Sequence, residues 1–441
     1  MIHQRLSLVA LLLYGASVFA QNEIKRPLTI QEAITLGTQN SKSIQVSKLK
    51  IESAEAKQEN AINPFLPNLS VTAAYTRIST NIDPYKISIP GVFTTELNPV
   101  IPNQFYNRAS VQQTLFAGLR NIYNLKAAKE MLEASKIDTK KEEDELKLIV
   151  IQQYYNYCKS LSSQKIIDEN TKTMDSRLKD IQNFNTVGMA LQNDVLKAQL
   201  AKSSLDVTKL EMENVTAIVN YNLNILLGID EKTTLAPNLS ELEKSNATPN
   251  PRDIESATAS RAEYKSALLK INAGNYLVKS AKSAYYPTLA GGFNFYYNNP
   301  NQRVFPQQAK FKDTWDAGLT LNWNLSSLYT ARAGIKDAKI NTKLNEMMTA
   351  QLQDGIKTEA FTALKNYQLN IKKIELADKT VQQAKENQRI MKNRFTGEVS
   401  VFSDLLDADA QVFQAELNLI NAKCDAQVAY YKYLKAIGQL N

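Results

Sequence analysis

Histidine, cysteine and proline are scarce in this chain, and each scarcity excludes something. The one histidine is His3. It lies in a stretch that reads as a cleavable leader, so the mature chain has no imidazole for acid–base work or metal ligation. The two cysteines, Cys158 and Cys424, are too few for a disulfide framework or a thiolate metal centre. They read as small buried helix residues, and a disulfide between them in an oxidising compartment stays open. No proline occurs from Asn103 to Ala236 or after Gln307. Long proline-free runs with few glycines mean helices well beyond the globular average. No Gly-rich phosphate loop and no metal-ligand spacing is present, so no cofactor is expected. The formal charge of +8 comes from interspersed residues of both signs, which is a solvated helical surface and not a nucleic-acid stripe.

Residues 1–20 read as a secretory signal. Arg5 is the positive start, Leu6 to Tyr14 the apolar centre, and Val18-Phe19-Ala20 the small-residue cleavage site. Cleavage is expected before Gln21. No cysteine follows that site, so no lipid anchor is expected. The apolar run is too short for a membrane-spanning helix. Residues 21–441 are expected to form a single protomer.

That protomer says the same thing twice, over residues 29–228 and 250–438. Each half opens with a helical stretch, about 29–63 and about 250–284. An aromatic-proline signal follows, Phe65-Leu66-Pro67 or Tyr285-Tyr286-Pro287. Two alternating runs come next, then a very long helical run. A polar break ends at Asp194 or Asp404, and a last helix closes at Gly228 or Gly438. These units are too long for a solenoid and read as a duplicated half-domain.

The alternating runs predict four strands, at 69–79, 107–117, 289–299 and about 315–324. In the first, Leu69, Val71, Ala73 and Tyr75 oppose Ser70, Thr72, Ala74 and Thr76. In the second, Val111 and Leu115 oppose Ser110, Gln112 and Thr114. In the fourth, Trp315, Ala317, Leu319, Leu321 and Trp323 oppose Asp316, Gly318, Thr320, Asn322 and Asn324. Period two means one apolar face and one polar face. Each run has the ~10 residues that a tilted membrane strand needs. The only two tryptophans, Trp315 and Trp323, bracket the apolar face of the fourth strand like two interfacial girdles. Four strands cannot close a transmembrane barrel, and open edges cannot face lipid. If the strands span a membrane, several chains must share one barrel. The first inter-strand loop, about 80–106, is the longer and is expected at the cell surface.

The helical runs cover about 119–187 and 328–395, each roughly 100 Å long at 1.5 Å per residue. Shorter helices return over about 191–227 and 401–437. In the last helix Ala408, Ala415, Ala422, Ala429 and Ala436 recur every heptad, interleaved with Val412, Leu419, Ala426 and Tyr433. This is a close-packing coiled-coil seam. The matching helix of the first half carries the bulkier Leu205, Met212, Val219 and Leu226 after Ala198.

Several short motifs now stand in one order. They are Leu28-Thr29-Ile30-Gln31-Glu32-Ala33, Leu66-Pro67, Leu115-Phe116-Ala117-Gly118, Leu226-Leu227-Gly228 and Ser403-Asp404-Leu405-Leu406-Asp407-Ala408. In this order and duplication the chain resembles the TolC family of bacterial outer-membrane efflux proteins. The resemblance implies a mainly α fold with a transmembrane β-barrel part. Three chains would share a 12-stranded barrel, and their long antiparallel helices would form a coiled-coil α-barrel across the periplasm. It implies no enzyme but a porin-like exit duct of a tripartite efflux or type I secretion system. The duct would conduct substrates passively. The partners implied are two more copies in a homotrimer, a periplasmic adaptor (membrane fusion) protein, an inner-membrane transporter and outer-membrane lipid.

The same resemblance implies a gate at the periplasmic mouth. The family's constricting aspartate pair falls on Asp404 and Asp407, and polar partners fall on Asn193 and Asp194. Two positions depart. The family's gate tyrosine falls on Phe395, which lacks a hydroxyl, and its gate arginine on Ser400. Gly397 also sits one position before the family's glycine. Two other readings stand beside this one. Asp404 and Asp407 could be paired carboxylates of an enzyme, although beside Asp409 they also suit a helix start. A periplasmic coiled-coil scaffold or adaptor would explain the heptads but not the Trp315/Trp323 stripe.

Overall fold

The computed structural model describes residues 26–96, 100–243 and 253–440. The leader expected at 1–20 and its cleavage site lie outside the described residues. In chain order the elements begin with β1 (Arg26–Leu28), α1 (Ile30–Asn40) and α2 (Lys42–Ile62). Strands β2 (Asn68–Arg77), β3 (Lys86–Ile89), β4 (Phe93–Glu96) and β5 (Asn103–Ala117) precede α3 (Arg120–Thr186) and α4 (Gln192–Leu227). Then come β6 (Leu235–Pro237), α5 (Asp253–Ser260), α6 (Ala262–Lys282), β7 (Thr288–Asn298) and β8 (Lys312–Asn322). The chain closes with α7 (Ser327–Thr396) and α8 (Phe402–Ala436).

Two of the expected helices are each broken in two. The stretch 29–63 breaks at Ser41, whose extended backbone ends α1. Its hydroxyl accepts from the N–H of Ser43 at 3.2 Å and of Ile44 at 3.5 Å, which caps α2. The stretch expected at 250–284 breaks at Arg261. That guanidinium is buried and reaches the terminal carbonyls of α8, Lys435 O at 3.4 Å and Ala436 O at 3.3 Å. It also pairs with Glu359 at 3.0 Å. A cation at a helix C-terminus satisfies orphan carbonyls and opposes the dipole.

The chain divides into two compact units. One comprises the stretch through Ser47 with Thr139–Ala262 and Gln353–Asn441. Its core is built on α3, where Val150, Ile151, Tyr154, Tyr157 and Cys158 are buried with Leu28, Leu223, Leu227 and Leu235. β1 and β6 pair in parallel there. Two tyrosines satisfy the ends of this small sheet. The Tyr157 hydroxyl donates to Leu235 O at 2.9 Å, and the Tyr154 hydroxyl accepts from Asn238 N at 3.2 Å. Cys158 and Cys424 lie in this core as free thiols. Burial pushes both thiols up, Cys424 to about 12. The alanines at 408, 415, 422, 429 and 436 are all buried, as are Val412, Ala426 and Tyr433. The equivalent line on α4 is buried at Ala198 and only half-buried at Leu205, Met212, Val219 and Leu226.

The other unit comprises Lys48–Asp138 and Glu263–Leu352. It holds an antiparallel sheet of order β2-β5-β7-β8. β5 begins at Asn103, four residues before its expected start, and β3 and β4 form a small hairpin inside the loop read as 80–106. Simple alternation fails once. The β5–β7 register shifts between Thr114 and Phe116, so Phe116 and not Leu115 stands opposite Leu289. An extra residue of this kind bends and twists the strand. Beyond it Gly118 has φ +62, and a Cβ there would stand 2.6 Å from Ser283 O. Only glycine fits this turn from β5 into α3.

Candidate channel gate and barrel face

Two helical turns carry the candidate gate, and both lie in the first of the two units. Between α3 and α4 the chain reverses at Gly188, with φ +77. Met189 N–H donates to Phe184 O at 2.8 Å, and the Asn185 amide donates to Ala190 O at 2.9 Å. Between α7 and α8, Val399 N–H donates to Arg394 O at 2.8 Å in the same pattern. These six-to-one bonds are helix-ending loops that require one left-handed residue. In the first turn that residue is glycine. In the second it is Glu398, at φ +57, because Gly397 comes one residue too early.

The contacts around Phe395, where the family has a tyrosine, are apolar. Phe395 meets Phe184 edge-on at 5.8 Å and Phe402 at 5.6 Å. Ile181, Val195, Ala198 and Phe402 are buried around it. Asp194 instead caps its own helix, accepting from Leu191 N–H at 3.4 Å, and lies 4.0 Å from the Lys197 ammonium. Among the described residues, no hydrogen bond joins Asn193 or Asp194 to Phe395 or Ser400. The Ser400 hydroxyl is buried without a hydrogen-bond partner there. Asp404 and Asp407 are exposed on α8, and Asn193 is exposed on α4.

Deeper in the same bundle lies an ion pair that sequence reasoning missed. Arg177 Nε on α3 donates to Asp409 Oδ2 on α8 at 2.9 Å, and its NH2 donates to Oδ1 at 3.4 Å. Gln388 of α7 donates to the same Oδ1 at 2.8 Å. Asp409 is 4% exposed, so it is not the solvated dipole partner that its place near a helix start suggests. Nothing in sequence spacing pairs an arginine and an aspartate so far apart along the chain.

The candidate barrel face is the sheet of the second unit. Leu69, Val71, Leu319 and Leu321 are strongly exposed on one side, as are Trp315 and Trp323 at its two ends. Trp315 stacks on Phe293 at 6.1 Å, and Trp323 Nε1 donates to Tyr285 O at 3.2 Å. Trp323 lies one residue beyond β8, not within it. The opposite side is polar. Ser70 and Ser110 share a 2.7 Å hydrogen bond, and Asn294 donates to Asp316 at 2.6 Å. A contiguous exposed apolar face of this kind marks a lipid or protein contact.

The model of the family described as "Outer membrane efflux protein" matches residues 33–228 and 254–439. The chain belongs to the outer membrane efflux protein family. This family is one of efflux channels, so the chain is an outer-membrane protein and not an enzyme. One relative is the toluene efflux pump outer membrane protein TtgC of Pseudomonas putida, 20% identical over 93% of this chain and 82% of that protein. Among solved structures, CusC matches with a TM-score of 0.81 at 15% identity, over 95% of this chain and 93% of that one. VceC of Vibrio cholerae matches at 0.76 and 15% identity, over 93% and 96%. These structural likenesses establish a shared, mostly helical fold. Among the described residues no helix of this efflux protein is long and apolar enough to cross a membrane.

Proposed function

We propose that this efflux protein is a homotrimeric exit duct. Its sheet supplies four strands of a shared 12-stranded barrel, and its long helices supply one third of a coiled-coil tunnel crossing the periplasm. The observation that carries this reading is the open sheet. β2 and β8 each have one unpaired edge, and all ten residues of β2 are exposed. Such edges cannot stand in lipid alone, and pairing β8 of one copy with β2 of the next removes them. A stripe on α4 fits the same assembly. Leu196, Leu200, Val207, Leu210, Ile218 and Ile225 are exposed there and need a neighbour. Residues 1–20 act as the leader, and the two halves, 29–228 and 250–438, are structural repeats.

In this reading the turns at Gly188 and Glu398 form the periplasmic mouth. Asp404 and Asp407 face the pore, and Asn193 and Asp194 flank it. Phe395 takes the place of a hydroxyl latch with an aromatic one, and Ser400 makes no ionic latch. The duct itself conducts passively, and an inner-membrane transporter delivers substrates to it through a periplasmic adaptor. The named relative serves a toluene efflux pump, which favours a tripartite efflux system. The test is direct. The protein should fractionate with outer membranes and run in detergent as a heat-dissociable particle of three chains. A monodisperse monomer retaining its strand signal refutes the shared barrel.

A further inference from the structure

The polar face of the four-stranded sheet carries an excess of positive charge. Its strand residues are those paired across the register from Ser70–Ser110–Asn294–Asp316 in steps of two. Among them the only charged side chains are Arg108 on β5 and Lys312 and Asp316 on β8. Arg108 donates through Nε at 3.1 Å and NH2 at 2.7 Å to a single oxygen, Asn294 Oδ1. Asn294 passes this on by donating to Asp316. Asn294 is neutral, so the Arg108 charge is held in place without being cancelled.

A second guanidinium is added from outside the strands. Arg303, in the loop between β7 and β8, turns back over the same face. It donates to Asp316 Oδ2 and, through NH1 at 3.2 Å, to Trp315 O. Both guanidiniums approach the Tyr296 ring, Arg303 at 4.6 Å and Arg108 at 5.8 Å from its centroid. Contact with the ring face helps to fix the position of both guanidiniums. Asp316 balances one of the three cations. Arg303 is the one that Asp316 pairs with, so the net positive charge of the face in every copy is that of Arg108 and Lys312, with the guanidinium of Arg108 suited to a carboxylate, phosphate or sulfonate.

We infer that Arg108 and Arg303 form a cationic collar in the barrel section of the duct that selects for and binds anionic groups on passing solutes. The inference rests on the reading that the polar face lines a water-filled lumen. In a ring of three copies the collar holds six guanidiniums, three of them paired with Asp316, and the surplus positive charge left by Arg108 and Lys312 is of the kind that sets the ion preference of pores. Its sign is opposite to that of Asp404 and Asp407, so one duct would carry an acidic and a basic zone.

The test uses the full-length protein in planar bilayers at about 0.1 M salt, where the Debye length of about 10 Å lets the collar act across the lumen. The readouts are the chloride-to-potassium permeability ratio from reversal potentials, and current block by naphthalenetrisulfonate added on the side of the hairpin loops. In R108Q/R303Q the ratio should fall severalfold and the block should weaken severalfold. R108K/R303K keeps the charge and should keep the ratio, while losing part of the block because lysine has no fork. An unchanged ratio and block in R108Q/R303Q overturns the collar. The lumen reading is checked separately by a membrane-impermeant thiol reagent, for which the two buried native cysteines give little background. Thr320→Cys should react in the assembled protein and Leu319→Cys should not. Equal reactivity at both positions overturns the lumen reading and the collar with it.

Discussion

Arg177 and Asp409 are joined through two guanidinium nitrogens, at 2.9 and 3.4 Å, and the Gln388 amide closes on the same carboxylate. Three helices therefore meet on one buried charge, α3, α7 and α8. The sequence resemblance places a latch at Phe395 and Ser400, where there is neither a hydroxyl on the ring nor an arginine. This ion pair is the polar tie that the bundle has instead, set back from the turns and shielded from salt by burial.

Removing one partner should cost more than removing both. Asp409→Ala leaves the Arg177 guanidinium buried without its counter-charge, at a cost of about 3–5 kcal/mol. The double change Arg177→Ala/Asp409→Ala should be less damaging than the sum of the single changes, which is the signature of a coupled pair. Thermal unfolding followed by helix circular dichroism measures both. Strict additivity of the two losses is incompatible with a tie. Single-channel recording of Asp409→Ala should also show longer or larger openings, because the three helices are no longer drawn together.

The two turns at the candidate mouth give a matched pair of glycine predictions. Glu398 holds φ +57, while its counterpart Gly188 holds φ +77 and has open space where a Cβ would stand. A left-handed non-glycine residue costs roughly 1 kcal/mol or more. Glu398→Gly should therefore stabilise the bundle by about 1 kcal/mol, and Gly188→Ala should destabilise it by a similar amount. Gly397→Ala should change little, since its backbone is not left-handed. Melting temperatures of the three variants decide the matter, and equal effects at 397 and 398 contradict the turn geometry.

Alkaline pH should weaken the core around Cys158 and Cys424. Burial raises both thiols, Cys424 to about 12, so the fold favours the neutral form. The stabilising share is complete below the ordinary thiol range and is lost as pH rises towards the folded value. Tyr154 and Tyr155 are raised by burial as well and add their own loss above about pH 10. The difference between wild type and Cys158→Ala/Cys424→Ala isolates the thiols. Unfolding midpoints between about pH 8.5 and 10 should fall more steeply in the wild type. In the native protein at neutral pH, neither thiol should react with a water-soluble disulfide reagent.

How much of this is legible in the sequence depends on the range of the cause. Local periodicity exposes the long helices to within a residue or two and all four strands of the sheet, because apolar spacing is a property of neighbours. The alanine line of α8 is legible for the same reason, and every alanine in it is buried. The breaks at Ser41 and Arg261 are not. One is a short hydroxyl cap in a polar run, and the other is an arginine drawn to a helix end far along the chain. The bulge at Leu115 escapes because alternation carries no mark of an inserted residue. In sequence Asp409 is one more acid in a helix start, since only the folded bundle brings Arg177 to it. The gate positions come from resemblance alone, and the contacts among Phe184, Phe395 and Phe402 join residues that no local pattern marks as neighbours.

The acidic positions themselves give the last prediction. Asp404 and Asp407 stand three residues apart on α8, both exposed, and residues at that spacing share a helix face. Among the described residues neither has an ion-pair partner, in contrast to Asp409. In a trimer they would place six carboxylates around one opening. An acidic ring concentrates cations and holds multivalent ones tightly enough to obstruct flow. A trivalent cation added on the periplasmic side should therefore block current through the wild-type channel. Asp404→Asn/Asp407→Asn should weaken that block and shift the permeability ratio away from cations, while Asp409→Asn should leave the block intact. Raising the salt should weaken the block as well, because these charges are exposed and screened. If the block persists unchanged in Asp404→Asn/Asp407→Asn, the two aspartates do not line the mouth. The conducting path would then have to be closed by the aromatic cluster around Phe395, and Phe395→Ala would become the variant that opens it.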